Sequence, residues 1–359
     1  MEGDDVILQG DNLLVMPTIP AKHFNTCVTS PPYWGQRDYG IPPSEWPEIT
    51  YTPMSGLPSI TVPAWTGCLG LEPTPEMFVA HTVHVFQEVR RVLRDDGTLW
   101  LNYGDSYIGS NKGRWADGTG VIGDKPMQSK ARKSGSLLYQ NFRVNHLKRK
   151  DLAGIPWRVA FALQADGWYL RMDNIWNKSN CMPESVADRP TKAHEYIFLL
   201  SKSASYYYDK DAVKEQAVGF NNLPVAGSQG SFGPMQARRR KGNAKSFRGG
   251  RVYTGGQSFN NSSSAIRDSH GNSPNETGLR NRRSVWTVAT AQCPEAHFAT
   301  FPEKLIEPCI LAGAPVGGHV LDPFGGLGTT RKAALKLGRE CTLIEMSPLY
   351  VELAKKRTQ

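Results

Sequence analysis

Residues 319–347, HVLDPFGGLGTTRKAALKLGRECTLIEMS, compress a folding unit into one stretch of chain. An apolar strand at 319–321 leads into a glycine-rich turn at 322–328, a helix follows over about 329–337, and a second strand ends in Glu345. A chain that alternates strand and helix in this way builds an α/β sheet covered by helices. The turn also implies a ligand. Glycines let backbone approach a bound molecule closely, the helix start offers free amide donors, and an acid at the tip of the next strand can accept both hydroxyls of a ribose. The ligand should therefore contain a nucleoside. Phe324-Gly325-Gly326-Leu327-Gly328-Thr329-Thr330 lacks the third glycine of the dinucleotide fingerprint, and no GxxxxGK follows. Neither a nicotinamide dinucleotide nor a nucleoside triphosphate is supported.

The same alternation runs through the rest of the chain. VIL at 6–8 and TCVT at 26–29 read as short buried strands, separated by the helix-compatible NLLVMPTIP with proline breaking its end. Residues 41–66 are rich in proline and should run extended over a surface. Residues 75–94 space apolar side chains as a helix that Asp95-Asp96-Gly97 should end, and TLWLNYGD reads as a strand stopping at Gly104-Asp105. IPWRVAFALQADGW reads as helix and turn, YLRMDNIWNK and HEYIFLLSKS as strands, and FPEKLIEPCILAG as a helix closing at Gly313.

Between these elements the composition changes. The formal charge is +9 over 359 residues, and much of the excess sits in two segments, about 110–150 and about 220–284. The second holds Arg238, Arg239, Arg240, Lys241, Lys245 and Arg248. Both are rich in Gly, Ser and Asn and poor in aliphatics, so neither can supply a core, and both read as loops or insertions on a folded scaffold. Two such segments flanking a folded middle favour a polyanion partner. Six scattered cysteines without a CxxC pair argue against a disulfide framework and a structural zinc site. No run approaches roughly 18 apolar residues, and MEGDDVILQGD lacks the basic and apolar parts of a signal peptide. An intracellular protein without a membrane span is expected.

Near the other end, CVTSPPYWGQRDYG at 27–40 gathers two prolines, two tyrosines and a tryptophan behind an apolar run. Ser30-Pro31-Pro32-Tyr33 resembles the (D/N/S)PP(Y/F/W) tetrad of the amino-group DNA methyltransferases, and DPFGGLGTT resembles their methyl-donor motif. The similarity continues through GTLWLNYGDSY, NIWNKSNCMPESVADRPTKAHEYIFLLSKS and HFATFPEKLIEPCILAG, most of the chain outside the two basic segments. Catalytic motif first and cofactor motif last resembles the permuted order of the beta class.

The resemblance implies a Rossmann-like sheet flanked by helices. Its catalytic part would span 1–211 with a basic loop at about 106–150, its target-recognition region 212–284, and its cofactor-binding part 285–359. It implies S-adenosylmethionine as cofactor, double-stranded DNA as partner, no metal, and a restriction endonuclease acting separately. The implied compartment is the cytoplasm of a bacterial, archaeal or phage-infected cell. Cofactor contacts would fall to Asp11, Phe301, Asp322, Phe324, Gly325, Gly326, Gly328, Thr329, Thr330 and Glu345. DNA contacts would fall to Trp34 and the basic residues from Arg238 to Arg248.

The chemistry of the tetrad can be reasoned from its atoms. An exocyclic amino group is a poor nucleophile because its lone pair is delocalised into the ring. The Ser30 hydroxyl oxygen and the Pro31 carbonyl can accept its two N–H bonds and turn the lone pair outward, and the paired prolines keep that carbonyl aimed. A sulfonium donor leaves as a neutral thioether, so positioning carries most of the work without a metal or a covalent enzyme intermediate. Tyr33, with Trp34 beside it, would stack on a base extruded from the duplex.

A leading serine resembles the cytosine-N4 pattern, whereas adenine-N6 members more often lead with Asp or Asn. Cytosine N4 is the expected target and adenine N6 the alternative. A DNA-binding protein with a degenerate methyltransferase fold would keep the basic segments, but the intact tetrad, glycine turn and Glu345 count against it. A protein-glutamine methyltransferase would resemble NPPY and has less use for the basic insertion. His81 and His84 lack a third metal ligand and read as a packed or surface pair. Pro308-Cys309, similar to the nucleophile pair of cytosine-C5 enzymes, falls inside a helix and reads as core.

Overall fold

The computed structural model describes residues 6–108, 146–148, 150–216, 279–290 and 301–358. In chain order the elements are β1 (Ile7–Gln9), α1 (Asn12–Val15), β2 (Phe24–Thr29), β3 (Ser44–Trp46), β4 (Ile49–Tyr51), β5 (Ile60–Val62) and β6 (Trp65–Gly67). Next come α2 (Pro75–Val92), β7 (Leu93–Tyr103), α3 (Ile155–Ala165), β8 (Tyr169–Asn177), β9 (His194–Ser201), β10 (Glu215–Gln216) and β11 (Leu279–Arg280). The chain finishes with β12 (Val285–Thr287), α4 (Glu303–Gly313), β13 (His319–Asp322), α5 (Thr329–Lys336), β14 (Glu340–Glu345) and α6 (Pro348–Arg357).

Eight strands form the central sheet in the order β1-β14-β13-β2-β7-β9-β8-β12. Every neighbouring pair is parallel except β7 with β9 and β9 with β8, so β9 alone runs against the rest. The buried runs that read as strands serve two cores at once. Cys27, Leu99, Leu101, Phe198, Leu200, Leu321 and Ile344 face α2 and α3, whereas their neighbours Val28, Trp100, Ile197, Leu199, Val320 and Leu343 face α4 and α5. Alternation of side chains across a sheet covered on both faces makes the central strands β2, β7, β13 and β14 almost continuously buried, whereas β8, near the edge, is largely exposed.

The topology places the site. From β2 the chain returns through α2 to β7 on one side, and from β13 it returns through α5 to β14 on the other. The winding therefore changes direction between β2 and β13, where a crevice opens beyond the carboxyl ends of the strands. Thr29 and Asp322, 293 residues apart, meet there with a 2.6 Å hydrogen bond from the Thr29 hydroxyl to the carboxylate.

Two expectations about boundaries change. The helix predicted over 75–94 is capped by the Thr74 hydroxyl at the Met77 amide and ends at Val92, before the acidic pair. Leu93 is fully buried and extended, and its pairing with Phe24 draws it into β7, so burial on the sheet overrides continued helix. The proline-rich stretch is extended as expected, but it folds as two antiparallel ribbons, β3 with β6 and β4 with β5. Trp46, Tyr51 and Val62 are buried there.

By Cα proximity the chain divides into Met1–Val213 with Arg283–Gln359, and Lys214–Arg282. In the second unit β10 pairs antiparallel with β11, and Arg280 donates to the Glu215 carboxylate at 3.0 Å. Arg238, Arg239, Arg240, Lys241, Lys245 and Arg248 lie outside the described residues, as does most of the first basic segment. Among the described residues no helix is long and apolar enough to cross a membrane.

Candidate active site

Ser30 leaves the end of β2, and Ser30, Pro31, Pro32 and Tyr33 all line a cavity of about 440 Å³. Gly325, Gly326, Thr329, Phe324, Glu345, Asp11 and Phe301 line the same cavity. Its size suits a nucleoside-sized ligand. The sheet thus joins two sequence motifs from opposite ends of the chain in one crevice.

The glycine turn is shaped by contact. A Cβ on Gly325 would lie 2.9 Å from that of Leu343, so only glycine lets the turn sit against β14, where the Gly325 amide donates to the Ile344 carbonyl. Gly328 has φ +75° and precedes α5, a left-handed position that glycine adopts without penalty. Glu345 ends β14 with one oxygen accepting the Gly326 amide at 2.8 Å and the other accepting the Ser347 amide at 2.7 Å. A carboxylate oxygen has two lone pairs, so each can still accept a ligand hydroxyl. Burial pushes the Glu345 carboxyl above the usual glutamate range, against the pull of those amide bonds.

Asp322 lines the same cavity and also holds the protein together. Its oxygens accept the hydroxyls of Thr29 and Thr330, both at 2.6 Å, and the Phe324 amide at 3.1 Å. Its burial raises the carboxyl above the ordinary aspartate range, and those bonds oppose the shift. Asp322 staples the glycine turn to the strand that carries the tetrad. Asp11 caps α1 by accepting the Leu13 amide and also accepts the Ser44 hydroxyl at 2.5 Å.

Three expected contacts are corrected. Trp34 is 1 % exposed, and its indole N–H donates to the Glu72 carbonyl, so it anchors the tetrad loop in the core and has no face for DNA. Thr330 is fully buried with its hydroxyl spent on Asp322, and it does not line the cavity. Gly328 packs against Ala354 and serves the turn. Cys309 is buried inside α4, as expected of a core residue. His81 is fully buried, bonded to Glu72 at 2.9 Å and stacked on Trp46 and Trp65.

Tyr33 is held by partners that the sequence reading missed. Its hydroxyl lies 2.8 Å from Glu195 Oε2 and 3.0 Å from Asn102 Oδ1, and the Ser30 hydroxyl donates to it at 3.4 Å. The Asn102 amide nitrogen donates to Glu195 and to the Tyr196 carbonyl, and Lys178 forms an ion pair with Glu195. Burial and the Glu195 charge push the Tyr33 phenol well above its ordinary value. Gly104 makes room for the ring, since a Cβ there would lie 2.6 Å from Tyr33 Cε2. The missing signal was strand direction. Only because β9 runs backwards does its first turn of chain, with Glu195, reach the edge where the parallel strands end.

Comparison with known proteins agrees with the geometry. The family model described as "DNA methylase", covering N6 and N4 enzymes, matches residues 24–356. The chain is 38% identical over 353 residues to Type II methyltransferase M.Cfr9I of Citrobacter freundii, covering 98% of this chain and 87% of that one. It is 38% identical over 351 residues to Type II methyltransferase M.SmaI of Serratia marcescens, covering 98% and 89%. Among solved structures, the PvuII DNA methyltransferase (cytosine-N4-specific) shares the fold with TM-score 0.56 at 15% identity, covering 98% of this chain and 86% of that one. TTHA0409 of Thermus thermophilus, in complex with S-adenosyl-L-methionine, shares it with TM-score 0.52 at 20% identity, covering 99% and 93%. A tetrad and a glycine turn brought to one crevice of a mostly parallel sheet, in a chain matched almost from end to end, make this protein a member of the N6 and N4 DNA methylase family.

Proposed function

We propose that the protein methylates the exocyclic N4 amino group of cytosine in double-stranded DNA, with S-adenosylmethionine as the methyl donor. The observation that carries this reading is Ser30 at the head of the tetrad, in the same cavity as the glycine turn and Glu345. Glu345 fits the ribose hydroxyls, the open side of Gly326 fits close approach of a ligand, and Phe301 and Phe324 fit an adenosine. Asp11, beside them, is assigned to the adenine amino group. S-adenosylmethionine, when bound, supplies an electrophilic methyl group on sulfur.

The protein's part is orientation. Ser30 Oγ and the Pro31 carbonyl accept the two amino hydrogens of the target base and draw the nitrogen lone pair out of conjugation. The Tyr33 ring, tilted 41° to Tyr103 at 5.7 Å, offers the base a stacking face. Such stacking is worth about 1–3 kcal/mol, which offsets much of the cost of extruding the base. Residues 212–284 are assigned to target recognition, with Arg238, Arg239, Arg240, Lys241, Lys245 and Arg248 on phosphates. The separate Lys214–Arg282 unit supports that division. The catalytic and cofactor-binding parts, 1–211 and 285–359, then form one domain. A restriction-modification setting, with an endonuclease acting separately, is the role we assign, and the Type II methyltransferase names of the relatives support it.

Methylation-sensitive sequencing of DNA from a host expressing the chain tests this reading. N4-methylcytosine at one recurring short sequence is the expected result. N6-methyladenine in its place selects the alternative target, and unmodified DNA selects an inactive DNA-binding protein.

A further inference from the structure

The amino nitrogen that accepts a methyl group is left with one proton more than the product needs, and the tetrad contains no base of ordinary strength to take it. Beyond the tetrad, however, the hydroxyls lead somewhere. Ser30 donates to Tyr33 Oη, which stands 2.8 Å from Glu195 Oε2. The tyrosine has a single proton and two acceptors within reach, Glu195 and the Asn102 carbonyl oxygen at 3.0 Å. A charged acceptor makes the stronger bond, so the proton belongs to Glu195. The chain of donors then has one direction, from Ser30 to Tyr33 to Glu195.

We infer that Glu195 is the terminal proton acceptor of the transfer reaction, reached from Ser30 through the Tyr33 hydroxyl. This rests on the amino-methyltransferase reading of the same site. With its own hydrogen directed at Tyr33, Ser30 Oγ presents only lone pairs to the base, as an acceptor for an amino N–H must. After the N–CH3 bond has formed, an N–H bond breaks and its proton passes to Ser30 Oγ. The Ser30 proton passes to Tyr33 Oη as the Tyr33 proton passes to Glu195 Oε2. Both hydroxyls end as they began, the nitrogen ends neutral, and the carboxylate ends as a carboxylic acid that returns its proton to water. Neither Ser30 nor Tyr33 has to exist as an anion, which suits a phenol as hard to ionise as this one.

The surroundings hold the Glu195 carboxylate in place from both sides. Lys178, just beyond β8, pairs with Oε1 and leaves Oε2 for the relay, and the two side chains are only 20% and 14% exposed. The Lys178 ammonium also sits 4.5 Å over the Trp176 ring, which fixes its position. The Glu195 charge is felt by Lys192, before β9, and by His194, at its start, while Tyr33 of the tetrad loop and Asn102 of β7 hydrogen-bond to it. The 3.4 Å link from Ser30 is the longest in the chain, and it is the one that a bound amino group pressing on Ser30 shortens. The relay needs the tyrosine of this tetrad, because a tetrad that ends in Phe or Trp has no hydroxyl to pass the proton.

The test compares wild type with Glu195→Gln, measuring kcat against pH on duplex DNA and donor affinity by calorimetry. The expected variant binds S-adenosylmethionine within about threefold of wild type, loses at least about tenfold in kcat, and loses the acid limb of the kcat profile that protonation of the acceptor produces. A kcat within about threefold of wild type overturns the inference, as does a reduced kcat with the acid limb intact. If Glu195→Gln fails to bind the donor, Tyr33→Phe decides the matter, since it keeps the ring and deletes the relay. The same loss of kcat and of the acid limb supports the inference, and a profile like that of wild type overturns it. Without any donor present, the Glu195 carboxyl 13C resonance should move in Tyr33→Phe, and an unmoved resonance contradicts the contact. A wild-type protein that transfers no methyl group overturns both readings, whereas an active wild type with unaffected variants overturns this one alone.

Discussion

Glu345 shows how a single side chain can serve the fold and the ligand together. Its two oxygens hold the Gly326 and Ser347 amides and still carry free lone pairs inside the cavity. Because burial raises its carboxyl, it takes up a proton at a higher pH than an ordinary glutamate. Donor affinity should therefore weaken on acidification as the pH falls through that raised value, because a carboxylic acid offers an O–H where the ribose needs an acceptor. Calorimetric titration across pH checks this, and Glu345→Gln should bind more weakly and lose the pH dependence. The sign for folding is opposite: a carboxyl raised by burial favours the folded state while protonated, and that contribution fades as the pH rises through the folded value. Glu345 and Ser30 were legible from sequence because each sits at the end of a strand beside a motif. Glu195 and Asn102 were not, because their function depends on which strands are neighbours, and Asp322 showed its residue type without showing that it also accepts the Thr29 and Thr330 hydroxyls.

At the level of elements, the tetrad loop is supported from behind by α2 and the ribbons. His81 of α2 bonds to Glu72, Glu72 accepts the Gly70 amide, and the Gly70 carbonyl accepts the Gly35 amide just past the tetrad. The Trp34 indole ends on the Glu72 carbonyl. Trp46, whose ring stacks on His81 at 4.2 Å, also lines the cavity. Replacing His81 by Ala leaves a buried carboxyl without its side-chain partner and a void between two tryptophans. A loss of at least about 3 kcal/mol in urea denaturation is expected, with weaker donor binding. A loss below about 1 kcal/mol would show that the stack is dispensable. Periodicity found α2 and its apolar face, but it could not find this chain of bonds. One ribbon encloses the other, so that β3 pairs with β6 across β4 and β5, and strands this short carry too little alternation to mark register.

Across the whole molecule, the order of elements was readable because a sheet covered on both faces demands apolar strands and amphipathic helices in alternation. Their spatial order was less so. The two ends of the chain lie side by side, β1 pairing with β14 and β2 with β13, and only the family resemblance announced that permutation. The consequence is one crevice in which the first motif orients a base and the last binds its methyl donor. The most direct measurement incubates the purified protein with unmodified duplex DNA and S-adenosylmethionine carrying an isotopically labelled methyl group. The DNA is then digested to nucleosides for mass spectrometry. Label in N4-methylcytosine is the predicted result, and label confined to N6-methyladenine, or absent from every nucleoside, would contradict it.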